Sequence, residues 1–224
     1  MLENESHACP LCHGLFSESE TELFFEDKKR PYYRCNHCAL VFVPPAYHLS
    51  SESEKAEYDK HENVIDDPGY LKFLSRVIDP LVVRLNQYQC VPSGLDFGCG
   101  PGPALAAELN RSGFKCAVYD IYYHNDPEVL NKQYDFVTCT EVVEHFNDPA
   151  SALKVLFSLV KPGGVLAIMT KLVINKERFS TWHYKNDPTH ISFFSQETMA
   201  FLSDQFGFSV EFIDNDVIFF SRPT

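Results

Sequence analysis

The sequence predicts an α/β protein: a doubly wound parallel sheet closed by an antiparallel hairpin, with a small cysteine-held module in front of it. Three observations carry this. The apolar run from Gly94 to Phe97 leads into Gly98, Gly100 and Gly102 and then into a helix-forming stretch from Pro103 to Arg111, which is the strand, tight loop and helix of a nucleotide-binding turn. Near the C-terminus two strand-like runs, 209–214 and 217–222, flank the polar turn Asn215-Asp216. Near the N-terminus two Cys-x-x-Cys pairs have the spacing of a closed metal site.

A chain of 224 residues with 45% hydrophobic content can bury one good core and one small extra module. The net charge of -12 argues against gripping a phosphate backbone, which needs clustered Lys and Arg; the basic patch Lys28, Lys29, Arg30 and Arg34 is small. No apolar run approaches the roughly 20 residues of a membrane span, and Met1 to Glu5 lacks the basic and apolar segments of a signal peptide. A soluble cytoplasmic protein is the expectation, and in that compartment the eight cysteines read as ligands or core residues rather than disulfides.

In chain order, residues 1–48 read as a zinc-ribbon-like module. Cys9-Pro10-Leu11-Cys12 and Cys35-Asn36-His37-Cys38 each let two thiolates meet one tetrahedral ion, and together they complete a structural zinc site. His7, His13 and His37 stand near enough to substitute, but four cysteines already fill the sphere. So small a segment has little core of its own, so metal should supply much of its folding energy. Val41 to Pro45 leaves the module as a strand stopped by two prolines.

Residues 49–91 read as a linker and helical lid. The stretch 49–67 is polar and contains Tyr58, His61 and Asn63, which as plain surface residues would need no further role. From Tyr70 to Val82 apolar residues recur at helical spacing, and Pro80 predicts a break, with Asp79-Pro80 capping a second helix.

Residues 92–224 hold the glycine turn. Without a Cβ the backbone can take positive φ and approach a ligand closely, and the helix start beyond offers unpaired N–H groups. The third glycine comes two residues after the second, not three as in a dinucleotide fingerprint, and Asp96 precedes the first by two. After the helix, Gly113-Phe114 turns into a run from Lys115 that ends on Asp120, where such folds hydrogen-bond ribose hydroxyls. Tyr134 to Thr140 reads as the next strand, followed by Glu141 to Phe146; Leu159 to Gly164 turns into a further strand, Val165 to Thr170.

The Asp-x-Gly-x-Gly-x-Gly turn, the acidic strand tip, the 134–146 segment and the Lys161-Pro162-Gly163-Gly164 turn together resemble the class I S-adenosylmethionine (SAM) dependent methyltransferases over about residues 92 to 224. The resemblance implies a seven-stranded Rossmann-like methyltransferase sheet. It implies that Asp96, Phe97, Gly98, Cys99, Gly100 and Gly102 shape the pocket for the methionine and ribose, and that Asp120 binds the ribose hydroxyls. Thr140 and Glu141 would lie beside the adenine or the methyl, with Tyr58 and His61 folded over the methionine end.

If a helical turn begins at Glu141, then Glu141, Glu144 and His145 share a face and, with His190, form a set able to hold a second divalent ion. Glu-x-x-Glu-His with a later histidine resembles an element of metal-dependent small-RNA 2′-O-methyltransferases and, in part, of ubiquinone-pathway O-methyltransferases. The alternative is that Glu141 lines the cofactor pocket while Glu144 and His145 make structural hydrogen bonds. The loop Ser180 to Phe194 overhangs the reactive end; His183 and His190 are candidate general bases, with Tyr184 and Asp187 orienting base or acceptor. Gln196 to Phe206 reads as a helix ending at Gly207.

The reading is methyl transfer by in-line displacement to an acceptor, a small molecule before a nucleic acid. Sugar C-methyltransferases also combine a cysteine-rich zinc module with this core. RNA or protein methylation guided by the zinc module, a non-catalytic SAM-binding adaptor and a NAD-dependent oxidoreductase are the other readings; the glycine spacing and the closing hairpin disfavour the last.

Overall fold

The computed structural model describes residues 8–12, 21–60 and 64–224. The described chain runs β1 (Thr21–Glu26), β2 (Pro31–Cys35), β3 (Val41–Phe42), α1 (Ser51–Tyr58), α2 (Pro68–Leu85), β4 (Ser93–Phe97), α3 (Ala104–Arg111), β5 (Lys115–Tyr119), β6 (Tyr134–Thr140), α4 (Pro149–Ser158), β7 (Val160–Met169), α5 (Lys176–Ser180), β8 (Ser192–Phe193), α6 (Gln196–Phe206), β9 (Ser209–Phe212) and β10 (Val217–Ser221).

The larger sheet has the order β5-β4-β6-β7-β10-β9. β5, β4, β6 and β7 pair in parallel, and β10 runs antiparallel to both β7 and β9, which gives the expected closing hairpin. Alternation along the strands divides the core into two faces. Leu166 and Ile168 of β7 pack with Leu153 and Leu156 of α4 and with Met199 and Leu202 of α6. Val165, Ala167 and Met169 face the other way, toward Leu74, Val77 and Leu81 of α2 and Leu105 and Leu109 of α3.

Two expectations are corrected. The sheet has six strands among the described residues, not seven. Only residues 120–133 separate β5 from β6, and they form a 3-10 turn at Pro127–Asn131. A further parallel strand there would need two crossovers of about a dozen residues each, and the chain is too short for them. Pro80 does not break α2, which runs continuously from Pro68 to Leu85 behind an Asp67 cap. An interior proline costs about 3 kcal/mol. The stripe Leu74, Val77, Ile78, Leu81 and Leu85 is buried on both sides of Pro80, at about 1.5–3 kcal/mol for each side chain, and outweighs that cost.

The smaller sheet, β1-β2-β3-β8, is antiparallel throughout. Its last strand comes from the far end of the chain: Val41 pairs with Phe193 and Phe42 with Ser192. Tyr32 packs edge-on against Phe179 and Phe193. The cysteine-bearing hairpins are therefore joined to the segment that follows β7. No helix among the described residues is long and apolar enough to cross a membrane.

Candidate active site

At the end of β4 the chain takes positive φ at Gly98 (76°) and Gly100 (66°). A Cβ on Gly98 would sit 2.4 Å from Cγ2 of Val142, so only glycine lets this loop lie against the segment after β6. The loop is tied to the tip of β5: the N–H groups of Gly98 and Cys99 donate to the Tyr119 carbonyl (2.7 and 3.2 Å), and that of Gly100 donates to Asp120 Oδ2 at 3.0 Å. Asp120 Oδ1 accepts from the N–H groups of Tyr122 (2.8 Å) and Tyr123 (3.1 Å). Asp96 lies behind the loop, buried, with Oδ1 accepting from the Thr138 hydroxyl at 2.8 Å; burial pushes its carboxyl up to about 6. Gly102 is also buried, and neither it nor Asp96 lines the cavity in front.

That cavity, about 810 Å³, opens over the C-terminal ends of β4, β5 and β6. Phe97, Gly98, Cys99, Gly100 and Asp120 form one wall and Thr140 and Glu141 the other. Tyr58 and Glu54 of α1 cover it. Glu54 accepts from the hydroxyls of Tyr58 (2.9 Å) and Tyr122 (2.8 Å), Asp59 accepts from Tyr123 at 2.7 Å, and the Tyr58 ring meets His145 edge-on at 5.2 Å. Tyr122 and Tyr123 were not picked out from the sequence; their position directly after the acidic strand tip is the signal that could have found them. His61 and Asn63, and likewise His7 and His13, lie outside the described residues.

At the far end, Glu141 has φ 52°, a left-handed conformation uncommon for a non-glycine residue. The helical turn expected to start there begins instead at Val143 and spans Val143–His145 in 3-10 form. This corrects the proposed ligand set: Glu144, His145 and His190 bring ligand atoms within 4.8 Å of one another, and Glu141 is not among them. Glu144 is fully buried and accepts from the Tyr184 hydroxyl and, at 3.1 Å, from that of Thr170. The Tyr184 hydroxyl also lies 3.2 Å from Glu141 Oε2. Burial pushes Glu144 up to about 7, and burial together with the Glu144 charge pushes Glu141 up to about 8. Glu141 Oε1 and Thr140 Oγ1 are buried at the cavity wall with no hydrogen-bond partner.

The loop after β7 supplies the rest. His190 Nδ1 lies 2.7 Å from the Tyr184 carbonyl, so Nδ1 carries the proton and Nε2 is the acceptor of the neutral ring. Burial, and then the neighbouring His145, hold His190 down to about 4. Its Nε2 is 3.9 Å from Asp187 Oδ2. Against the effect of burial, the Thr189 hydroxyl and N–H keep the Asp187 carboxyl below its ordinary value. The structure thus gathers His190, Tyr184 and Asp187 at one end of the cavity. His183 is exposed at its rim, with Nε2 accepting from the Lys171 ammonium at 3.2 Å.

Residues 70–211 match the methyltransferase domain family, which is more than half of the chain. The chain belongs to the class I SAM-dependent methyltransferases. The ubiquinone biosynthesis O-methyltransferase of Pseudomonas savastanoi pv. phaseolicola is 35% identical over 80 residues, which cover 35% of this chain and 34% of that protein. The enzyme of the same name from Serratia proteamaculans is 36% identical over 72 residues, covering 32% and 30%. The match therefore spans about a third of these curated relatives. Among solved structures, the Burkholderia thailandensis 1,6-didemethyltoxoflavin-N1-methyltransferase, with its namesake compound and S-adenosylhomocysteine bound, superimposes with a TM-score of 0.51 at 15% identity over 92% of this chain and 100% of that one. Magnesium protoporphyrin IX methyltransferase from Synechocystis PCC 6803, solved with S-adenosylhomocysteine, gives 0.50 at 14% identity over 79% and 96%. Both are likenesses of fold.

The chain carries its cysteine set in front of the matched residues. Cys9 and Cys38 have sulfurs 3.5 Å apart, Cys12 and Cys35 3.6 Å, and all four lie within 4.8 Å of one another, buried. A tetrahedron with bonds of about 2.3 Å has edges of about 3.8 Å, so these sulfurs fit the sphere of one zinc ion. The second knuckle closes as a turn in which the Ala39 N–H donates to the Cys35 carbonyl at 2.9 Å, with Ala39 at φ 58°.

Proposed function

We propose that this methyltransferase moves the sulfonium methyl of SAM to a hydroxyl of a small-molecule acceptor by in-line displacement, with His190 as the base. The observation that carries the reading is the cavity of about 810 Å³ over the strand ends, walled by the Gly98–Gly100 turn and Asp120 on one side and by Thr140 and Glu141 on the other. Bound there, SAM supplies the electrophile, since its positive sulfur makes the methyl transferable.

The chain's own residues do the rest. The Gly98–Gly100 backbone and Asp120 hold the ribose and methionine side, Phe97 and Cys99 fill the wall beside them, and Tyr58 closes the roof. His190 is favoured over His183 because its ring is anchored through Nδ1 and stays neutral, leaving Nε2 to take the hydroxyl proton, while Asp187 stabilises the imidazolium that forms. Tyr184, between Glu141 and Glu144, orients the acceptor end. Glu144 serves as a hydrogen-bond acceptor before a ligand of a second divalent ion, because it already accepts the hydroxyls of Tyr184 and Thr170.

A structural zinc held by Cys9, Cys12, Cys35 and Cys38 completes the reading. Of the module's basic patch, Arg30 is buried and Arg34 pairs with Glu197 at 2.6 Å, which leaves only Lys28 and Lys29 exposed, too few for a grip on an RNA backbone. The small-molecule class draws on the names of the O-methyltransferase relatives. The test is calorimetry with SAM and S-adenosylhomocysteine, followed by transfer of a labelled methyl from SAM to a panel of phenols and catechols. Binding of both compounds and labelling within the panel are expected; labelling of RNA alone would overturn the acceptor class.

A further inference from the structure

Arg30 lies in the turn between β1 and β2, far in sequence from the cavity, yet it is only 7% exposed. Its guanidinium meets four carbonyls: the two hydrogens of Nη2 are shared among those of Lys185 (2.9 Å), Asp187 (2.8 Å) and His190 (2.9 Å), and Nη1 donates to that of Pro188 (3.1 Å). Nε donates to the Tyr32 hydroxyl at 3.1 Å. All four carbonyls belong to the loop that presents Tyr184, Asp187 and His190 to the cavity.

The physical need is plain from the loop's own structure. After a 3-10 turn at His183–Asn186, the chain to Ile191 has neither helix nor sheet to absorb its carbonyls, and buried carbonyls must find donors. One planar guanidinium spans them because its donors sit on separated nitrogens, Nη2 and Nη1 toward the carbonyls and Nε toward Tyr32; a lysine ammonium, a single point, cannot span all of them. A second tie runs parallel, with buried Lys185 donating to Asp27 Oδ2 at 3.1 Å and Tyr32 Oη donating to the Lys185 carbonyl at 3.2 Å. Asp27 also accepts the Arg30 N–H at 3.0 Å, which sets the turn from which the guanidinium reaches. Attachment of the module to the core does not require Arg30, because the β3–β8 pairing and the Tyr32, Phe179 and Phe193 cluster already provide it.

We propose that Arg30 is the positioning residue for the 184–190 loop, so that the cysteine-held module shapes the acceptor end of the active site rather than recruiting a partner. The functional half of this inference rests on the reading of His190 and Asp187 given above; the structural half does not.

The experiment uses the full chain and its variants Arg30→Met and Arg30→Lys. Three readouts are taken: amide hydrogen exchange, SAM affinity by calorimetry and, with the acceptor found in the phenol and catechol panel, kcat and KM. In Arg30→Met, exchange across 184–190 rises by about tenfold or more, as expected when several hydrogen bonds of one segment are lost together. The amides of β2, β3 and β7 keep their protection, SAM affinity stays within about twofold, and kcat falls about tenfold or more. Arg30→Lys lies between, and it carries the test if Arg30→Met fails to fold. The emission of Trp182, the only tryptophan of the chain, centred 5.1 Å from the Tyr184 ring, shifts with the loop. Wild-type protection of 184–190 in the folded variants would overturn the proposal, as would loss of protection in β2 equal to that in the loop, which would make Arg30 a staple of the module. If the wild type fails to bind SAM while the exchange contrast persists, the positioning role stands and the functional reading falls.

Discussion

The hydroxyl of Tyr184 donates to the carboxylate of Glu144, joining the loop after β7 to the turn after β6 at the closed end of the cavity. Glu144 is fully buried, and this bond and the one from Thr170 are what offset its desolvation. Tyr184→Phe leaves Glu144 with one donor fewer and is expected to cost about 1–3 kcal/mol in urea unfolding. Equal stability of the two proteins would mean that the pair contributes little.

The same carboxyls make stability depend on pH. Glu141 and Glu144 rise from an ordinary 4.5 to about 8 and about 7, so the folded chain holds protons that the unfolded chain releases. Their contribution is full below 4.5 and lost as pH rises through the folded values. His190, lowered from 6.5 to about 4, acts in the opposite sense, with stability present above 6.5 and lost as pH falls. Between 6.5 and about 8 the two glutamates therefore dominate, and stability should fall as pH rises, by at most about 1.4 kcal/mol per pH unit for each proton. Glu144→Gln flattens that slope in urea titrations; an unchanged slope counts against the assignment.

Base identity separates the two loop histidines. His190→Ala should lower kcat by about 10²–10⁴ with SAM affinity unchanged, whereas His183→Ala, at the exposed rim, should stay within a few-fold of wild type. Because His190 is held near 4, kcat/KM should show no histidine inflection near 6.5. The reverse ranking of the two variants would move the base to His183.

On the cofactor side, Asp120→Ala strips the acceptor from the N–H groups of Gly100, Tyr122 and Tyr123 together. Calorimetry should find SAM binding weakened by about tenfold or more. Gly98→Ala places a Cβ against Val142 at positive φ, a strain of about 1–3 kcal/mol, and should abolish binding. Full affinity in both variants would separate the glycine turn from the cofactor.

For the cysteine set, metal analysis should return one zinc per chain. Its release by a thiol-directed mercurial should strip protection from the amides of β2 and β3 before those of β7, since so small a sheet draws its folding energy from the ion. Absence of zinc, or four freely titrating thiols at Cys9, Cys12, Cys35 and Cys38, would remove the site.

Much of the fold was legible because its signals are local. Asp96, Gly98 and Gly100 belong to one strand and turn, Asp120 to the tip of the next strand, and the hairpin after Gly207 follows from alternation around Asn215-Asp216. The six-strand count was open to a length argument on residues 120–133. The uninterrupted α2 was not so open, because the burial that overrides Pro80 depends on what lies beneath the helix. Glu141 was placed on a helical turn from spacing alone, but its left-handed backbone and its Met169 contact, where its N–H donates at 2.8 Å, belong to the assembled sheet.

The amino-acid sequence by itself determined the glycine turn, the acidic strand tip and each of the two Cys-x-x-Cys pairs, since each depends on residues a few positions apart whose steric and bonding needs are set by their own backbone. Only the tertiary structure decided that Arg30 serves the loop of His190, that Tyr184 bridges Glu141 and Glu144, and that Tyr122 and Tyr123 hold α1 over the cavity. Those contacts join segments distant along the chain, and a buried donor or acceptor takes its partner from whatever the packed core brings within reach.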